Sequence, residues 1–162
     1  IGFKLYVIDW SNGGLNYIRK KVKKKKINFS CLDFVKNKLP YKKDFFDGVI
    51  AISIFDNIFK KDAERLLKEV SRVSKKDAMM ISNLMTTNTN KKNRLGTKIK
   101  NEKNTYLVKS GNSAGEIHSL FPKAQAQKFY SKYFSTMSTI DYSILYNKKE
   151  KLNYQYSNLK KI

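Results

Sequence analysis

Two aspartates, each following a short apolar run, carry the clearest chemistry in this chain. Asp9 follows residues 3–8 (FKLYVI) and Asp33 follows residues 27–32 (INFSCL). Runs of this composition predict β-strands, and in open α/β sheets ligands bind beyond the carboxyl ends of the strands. A carboxylate placed there can accept hydrogen bonds from two ribose hydroxyls at once. A second acid one strand along can reach an adenine amino group. Trp10 and Phe34, directly after the acids, offer flat apolar faces to a base. Together these residues have the makings of an adenosine pocket. The other reading is that Asp9 caps the next helix and Asp33 is a turn residue. Other chemistries lack their residues. One cysteine, Cys31, rules out an internal disulfide framework and reads as a packed strand residue. One histidine, His118, leaves too few ligands for a His/Cys zinc site, so no metal is expected.

The elements that must position these residues alternate. Ser11 or Asn12 can cap a helix with Leu15, Ile18 and Val22 on one face, fading into residues 23–26. Leu39-Pro40 breaks the chain. Residues 46–55 (FDGVIAISIF) form a nearly continuous apolar run, which suits a strand buried on both faces. Residues 61–73 predict a helix with Ala63, Leu66, Leu67, Val70 and Val73 on one face and Asp62 as N-cap. Residues 78–82 (AMMIS) predict another strand. Residues 86–115, rich in Asn, Lys and Thr, read as a long polar loop that could serve as a lid. Residues 122–134 predict a helix, and 139–146 with 152–156 predict two strands joined as an antiparallel hairpin. The alternation argues for one α/β domain built on a parallel sheet.

Four segments in this order resemble one family. YVIDWSNGGLNYIRKK (6–21) is similar to a second strand, a ribose-binding acid and the next helix. INFSCLDFVKNKLPYKKDFFDGVIAIS (27–53) is similar to an adenine-binding acid, an "LP" turn and a fourth strand introduced by "FD". KDAERLLKEVSRVSK (61–75) resembles a helix ending in E-hydrophobic-x-R-V-L-K, and GEIHSLFPKAQAQKFYSKYF (115–134) a G-x-x-H-x-F segment with its helix. Together they resemble the class I S-adenosylmethionine-dependent methyltransferases, methyltransferase domain type 11 or 25. The long insert and GEIHSLF come nearest the tellurite-resistance type. The resemblance implies a Rossmann-like, mostly parallel sheet with helices on both faces and a C-terminal antiparallel hairpin. It divides the single domain, 1–162, into a partial cofactor-binding core (1–85), the polar loop (86–115) and the C-terminal helix and hairpin (116–162).

Carried over by position, Asp9 would bind the ribose of S-adenosylmethionine, Trp10 would flank the adenine, Asp33 would meet its amino group, and the Phe34 backbone a ring nitrogen. Ser53 would lie near the methionine part. Asp56, beside the substrate, could position it or accept a proton, or be an exposed loop acid. His118 would stand at the entrance of the lid, as a catalytic or merely solvated group. The family's G-x-G-x-G loop and first strand precede the ribose-binding acid, whereas Asp9 has only eight residues before it. The chain therefore reads as a member lacking its N-terminal strand. Residues 74–77 (SKKD) stand where a K-P-G-G turn is usual, with no glycine to supply a positive φ.

The charge bears on partners. Lys and Arg number 34 against 13 acids, for a net +21. Thirty of the 34 are Lys, and Lys, Asn, Ile, Phe and Tyr, all with A/T-rich codons, make up 79 of 162 residues. Phosphate-reading surfaces favour the Arg fork, so the skew favours compositional drift over a nucleic-acid partner. No apolar run reaches membrane-spanning length, and no signal peptide is apparent at the start, so a cytoplasmic location is expected. The leading expectation is methyl transfer to a small-molecule acceptor, impaired if the glycine loop is missing. The alternatives are an RNA methyltransferase and a degenerate, non-catalytic methyltransferase-like fragment.

Overall fold

The structure, a computed structural model, describes residues 2–22, 27–87, 96–109, 114–147 and 150–162. It comprises two compact units, Ile1–Leu39 and Pro40–Ile162.

The first unit is a β-α-β segment: β1 (Leu5–Asp9), α1 (Asn12–Lys21) and β2 (Ile27–Cys31). The strands pair in parallel from Leu5↔Ile27 to Asp9↔Cys31, as the strand–helix–strand order requires. Ser11 caps α1, its Oγ accepting from Gly14 N at 3.1 Å. Leu15 is the buried anchor of the helix, and Arg19, Lys20 and Lys21 sit at its negative end. Residues 23–26, where the helix was expected to fade, lie outside the described residues. Cys31 is exposed at the end of β2 instead of packed within a core.

The second unit contains β3 (Phe46–Ala51), α2 (Lys60–Val73), β4 (Ser74–Met85), β5 (Thr97–Lys98), β6 (Thr105–Leu107), β7 (Ile117–Ser119), α3 (Lys123–Ser131), β8 (Phe134–Asn147) and β9 (Glu150–Lys161). Its main sheet has the order β3-β4-β9-β8. β3 and β4 are parallel, while β9 runs antiparallel to both β4 and β8. The expected hairpin is thus present and longer than its apolar runs. The sheet is mixed, not mostly parallel, because the hairpin supplies half of its strands.

All five apolar positions predicted for α2 are buried, as the 3.6-residue spacing demands. Its N-cap is Phe59, without a side-chain bond; Asp62 lies in the first turn and pairs with Arg65. α2 and α3 lie side by side against the face carrying Met80, Ser82 and Leu84, where the Tyr130 hydroxyl donates to Ser82 Oγ at 2.8 Å. The other face exposes Ile50, Met79, Ile81 and Ile140. The helices of this unit therefore cover one face of its sheet, and β3 is not buried on both sides as its apolar run suggests. β3 also ends early: Ser53 takes a φ of 53° and turns the chain after Ala51.

At the start of β4 the register jumps from Phe46↔Ser74 to Gly48↔Met79. Asp77 turns the chain there with a φ of 64°, since aspartate tolerates the left-handed region better than most residues.

Residues 86–115 are not simply a loop. β5, β6 and β7 form a three-stranded antiparallel sheet, and Tyr106 on β6 packs with Leu120 on the core of Met85 and Tyr154. Residues 88–95 and 110–113, and with them part of the expected lid, lie outside the described residues. Gly96 enters this sheet at a φ of 74°, where a Cβ would stand 1.8 Å from the Leu107 carbonyl oxygen. Gly96→Ala is expected to open the β5–β6 pairing, with amide exchange of Thr97 and Lys98 accelerating at least about tenfold while β4 stays protected. Unchanged exchange at these amides would contradict that packing. Among the described residues, no helix is long and apolar enough to cross a membrane.

Candidate cofactor site and acceptor side

In the first unit, Asp9 is the last residue of β1, and Asp33 lies two residues beyond the end of β2. Leu32 N donates to the Asp9 carbonyl at 2.9 Å, extending the ladder past Cys31, so both acids stand at its carboxyl end. Asp9 Oδ1 accepts from Ser11 N at 2.7 Å. Its Oδ2 has no partner among the described residues. Trp10, next in the chain, is 72% exposed. Asp9 thus sits just outside the helix and leaves the capping to Ser11.

Asp33 is more committed. Oδ1 accepts from Val35 N at 3.1 Å and Lys36 N at 3.2 Å, and Oδ2 lies 3.1 Å from Lys36 Nζ. The Lys36 hydrogen bond holds this carboxyl below its usual range. Phe34 is half-buried in the turn that Asp33 organises.

In the second unit, the chain turns after β3 with Ser53, whose N–H donates to Asn83 Oδ1 at 2.6 Å. Asn83 Nδ2 lies 3.3 Å from the Tyr142 hydroxyl. Tyr142 stacks on Tyr154 and Tyr156 with ring centroids 5.2 and 4.6 Å away. Burial and the Tyr156 hydroxyl push its pKa up, so it stays a neutral phenol. Sequence reasoning missed Asn83 and this tyrosine stack. The one signal was a polar residue set in the apolar run around AMMIS, opposite Tyr156 on β9.

Asp56, in the same turn, is fully buried, not an exposed loop acid. Its Oδ2 accepts from Met85 N at 3.1 Å, and its carbonyl accepts from Ser119 N at 2.8 Å. Its Oδ1 is buried with no hydrogen-bond partner among the described residues. Desolvation pushes its pKa up to about 7. His118 lies on β7 opposite Tyr106, with Nε2 3.6 Å from Glu116 Oε2 and its side chain 14% exposed.

A parallel β-α-β unit and a β3-β4-β9-β8 sheet closed by an antiparallel hairpin are elements of the α/β fold used by class I S-adenosylmethionine-dependent methyltransferases. Residues 1–82 match the methyltransferase-domain family model, and the chain belongs to that family, whose cofactor is S-adenosylmethionine. No curated protein matches it significantly. Among solved structures, a SAM-dependent methyltransferase from Methanosarcina mazei is similar over 97% of this chain and 81% of its own, at 16% identity and a TM-score of 0.79. The N-methyltransferase NodS from Bradyrhizobium japonicum, solved with S-adenosyl-L-homocysteine, is similar over 98% and 66%, at 7% identity and a TM-score of 0.64. The [4+2]-cyclase SpnF is similar over 96% and 65%, at 14% identity and a TM-score of 0.67. Likeness at these identities establishes the fold; the reaction must be argued from the site.

Proposed function

We propose that this chain transfers a methyl group from S-adenosylmethionine to a small-molecule acceptor, with Asp9 as the principal cofactor ligand. The observation that carries this is the Asp9 carboxylate. It stands at the carboxyl end of a parallel ladder with Oδ2 unpartnered among the described residues, next in the chain to the exposed Trp10. The donor set fits the cofactor's nucleoside. Oδ2 can accept from ribose hydroxyls while Oδ1 stays on Ser11 N, and the indole offers a face to the adenine. Asp33 can contribute toward the adenine amino group if the exposed Lys36 ammonium swings aside, a small cost for a surface ion pair. The Phe34 backbone keeps the role given by the resemblance.

When bound, S-adenosylmethionine supplies an electrophilic methyl group. The chain's part is then to hold donor and acceptor in line, which needs no nucleophile of its own. Ser53, which the resemblance sets near the methionine part of the cofactor, has its N–H fixed by Asn83, and Asn83 in turn meets Tyr142. The tyrosine stack suits a flat or aromatic small molecule. His118 remains the candidate for proton handling; Asp56, fully buried, can act only by fixing the turn that borders the acceptor.

Isothermal titration of the chain with S-adenosylhomocysteine tests the reading, followed by methyl transfer from labelled S-adenosylmethionine to a panel of phenols, amines and thiols. Micromolar binding with transfer to one class is the expected result. Absence of binding refutes the proposal, and binding without transfer to any small molecule moves the reading toward a non-catalytic domain or another reaction on the same fold.

A further inference from the structure

Away from the strand ends, α2 and α3 enclose a surface groove of about 540 Å³. Six of its twelve lining residues are basic and one is acidic, whereas about one residue in five is basic over the whole chain. The cations are arranged as two rails. Lys61, Arg65 and Lys68 follow each other at i, i+4 and i+7 along α2, and Lys128 and Lys132 at i and i+4 on α3 and its C-cap. Arg65 shares Asp62 at 3.3 Å. Lys61, Lys68, Lys128 and Lys132 have no ion-pair partner among the described residues, and the one acid in the lining, Glu64, leaves the groove strongly positive. Between the rails the floor is aromatic: Phe129 and Tyr133 are half-buried there, Phe129 with its ring packed against Phe55, Phe121 and Tyr130, and Tyr133 with the Lys132 ammonium 5.6 Å from its ring centre, a cation that an incoming phosphate would draw off the ring. One end is closed by Lys60, which lies 5.3 Å from the centre of the Phe121 ring and donates to the Lys103 carbonyl at 2.8 Å.

We infer that this groove binds single-stranded nucleic acid, with the two lysine rails on the phosphates and the aromatic floor under the bases. Compositional drift explains many lysines but not their convergence on two facing helix stripes over aromatic rings. A positively charged groove with rings in its floor is the combination that holds single strands without sequence preference. An acidic peptide would satisfy the rails and leave the rings unused, and a duplex would hide its bases from them. The inference does not depend on the methyl-transfer reading, since no groove residue is among the proposed cofactor ligands.

The test is fluorescence anisotropy of a labelled oligouridine of about twelve nucleotides, titrated with the chain at low and moderate salt. Binding should weaken with salt, with a log–log slope of about −3 for four phosphates neutralised. The triple reversal K61E/K68E/K128E should bind at least about tenfold more weakly, with its melting temperature and S-adenosylhomocysteine titration unchanged. K38E/K42E/K76E changes net charge equally at exposed lysines elsewhere, and should lose less than about threefold. Tyr133→Ser should weaken oligouridine binding but not inorganic polyphosphate binding. An equal loss in the control triple would mean net charge alone is responsible and would overturn the site. Equal affinity for a poly-glutamate of the same length, or equal loss of both ligands in Tyr133→Ser, would overturn the choice of partner.

Discussion

Asp9→Ala is expected to weaken S-adenosylhomocysteine binding by about 10²- to 10³-fold, the loss of two charge-assisted hydrogen bonds of roughly 1.5–2 kcal/mol each. Among the described residues, Asp9 makes one side-chain hydrogen bond, to Ser11 N, and α1 keeps its own cap in Ser11 Oγ. Its removal should therefore leave the melting temperature nearly unchanged, which separates a binding loss from a folding loss. Asp9→Asn keeps one acceptor and should fall between wild type and alanine. Asp33→Ala supplies the contrast. Both Asp33 oxygens already serve their own turn, so the cofactor gains less from them, and the expected loss is under about tenfold. Calorimetric titration of the three variants checks the ranking. If Asp9→Ala bound like wild type, the strand-end carboxylate would not be the ribose ligand.

The contrast between the two acids shows what the sequence could reveal. Both were visible, because a carboxylate after a short β-rich run marks the end of a strand whatever its role. Their difference was not, because it lies in which oxygens the local backbone already occupies. The five buried positions of α2 were equally visible, since helical spacing reports the packed face directly. Residues 46–55 misled for a physical reason. The apolar run continues through Ile52, Ile54 and Phe55, while the left-handed turn at Ser53 ends the strand, and no glycine announces it. The small sheet of β5, β6 and β7 was hidden because strands of two or three residues are too short to show alternation, and their neighbours are polar. The groove between α2 and α3 escaped because net charge says nothing about which lysines face one another.

Asp56 is where legibility failed most and where the largest pH effect is expected. Its anchor is the backbone N–H of Met85, which has no signature in sequence, so nothing marked the acid as buried. In the fold it ties three segments together: its own turn after β3, the end of β4 through Met85 N, and β7 through Ser119 N. With the other oxygen buried and unpartnered among the described residues, ionisation is disfavoured, and the pKa rises from 3.8 to about 7. The sign follows from linkage. Between these two values the folded chain holds a proton that the unfolded chain has released, so stability falls as pH rises through that window and levels off above it. The fall attributable to Asp56 is about 4 kcal/mol at most. Asp56→Asn keeps the shape, an acceptor for Met85 N and a buried N–H donor in place of the buried O–H, but cannot ionise. Its stability should match wild type near pH 4 and exceed it by several kcal/mol at pH 8, read as urea midpoints across the range. Parallel pH profiles for the two proteins would show that Asp56 does not carry that proton.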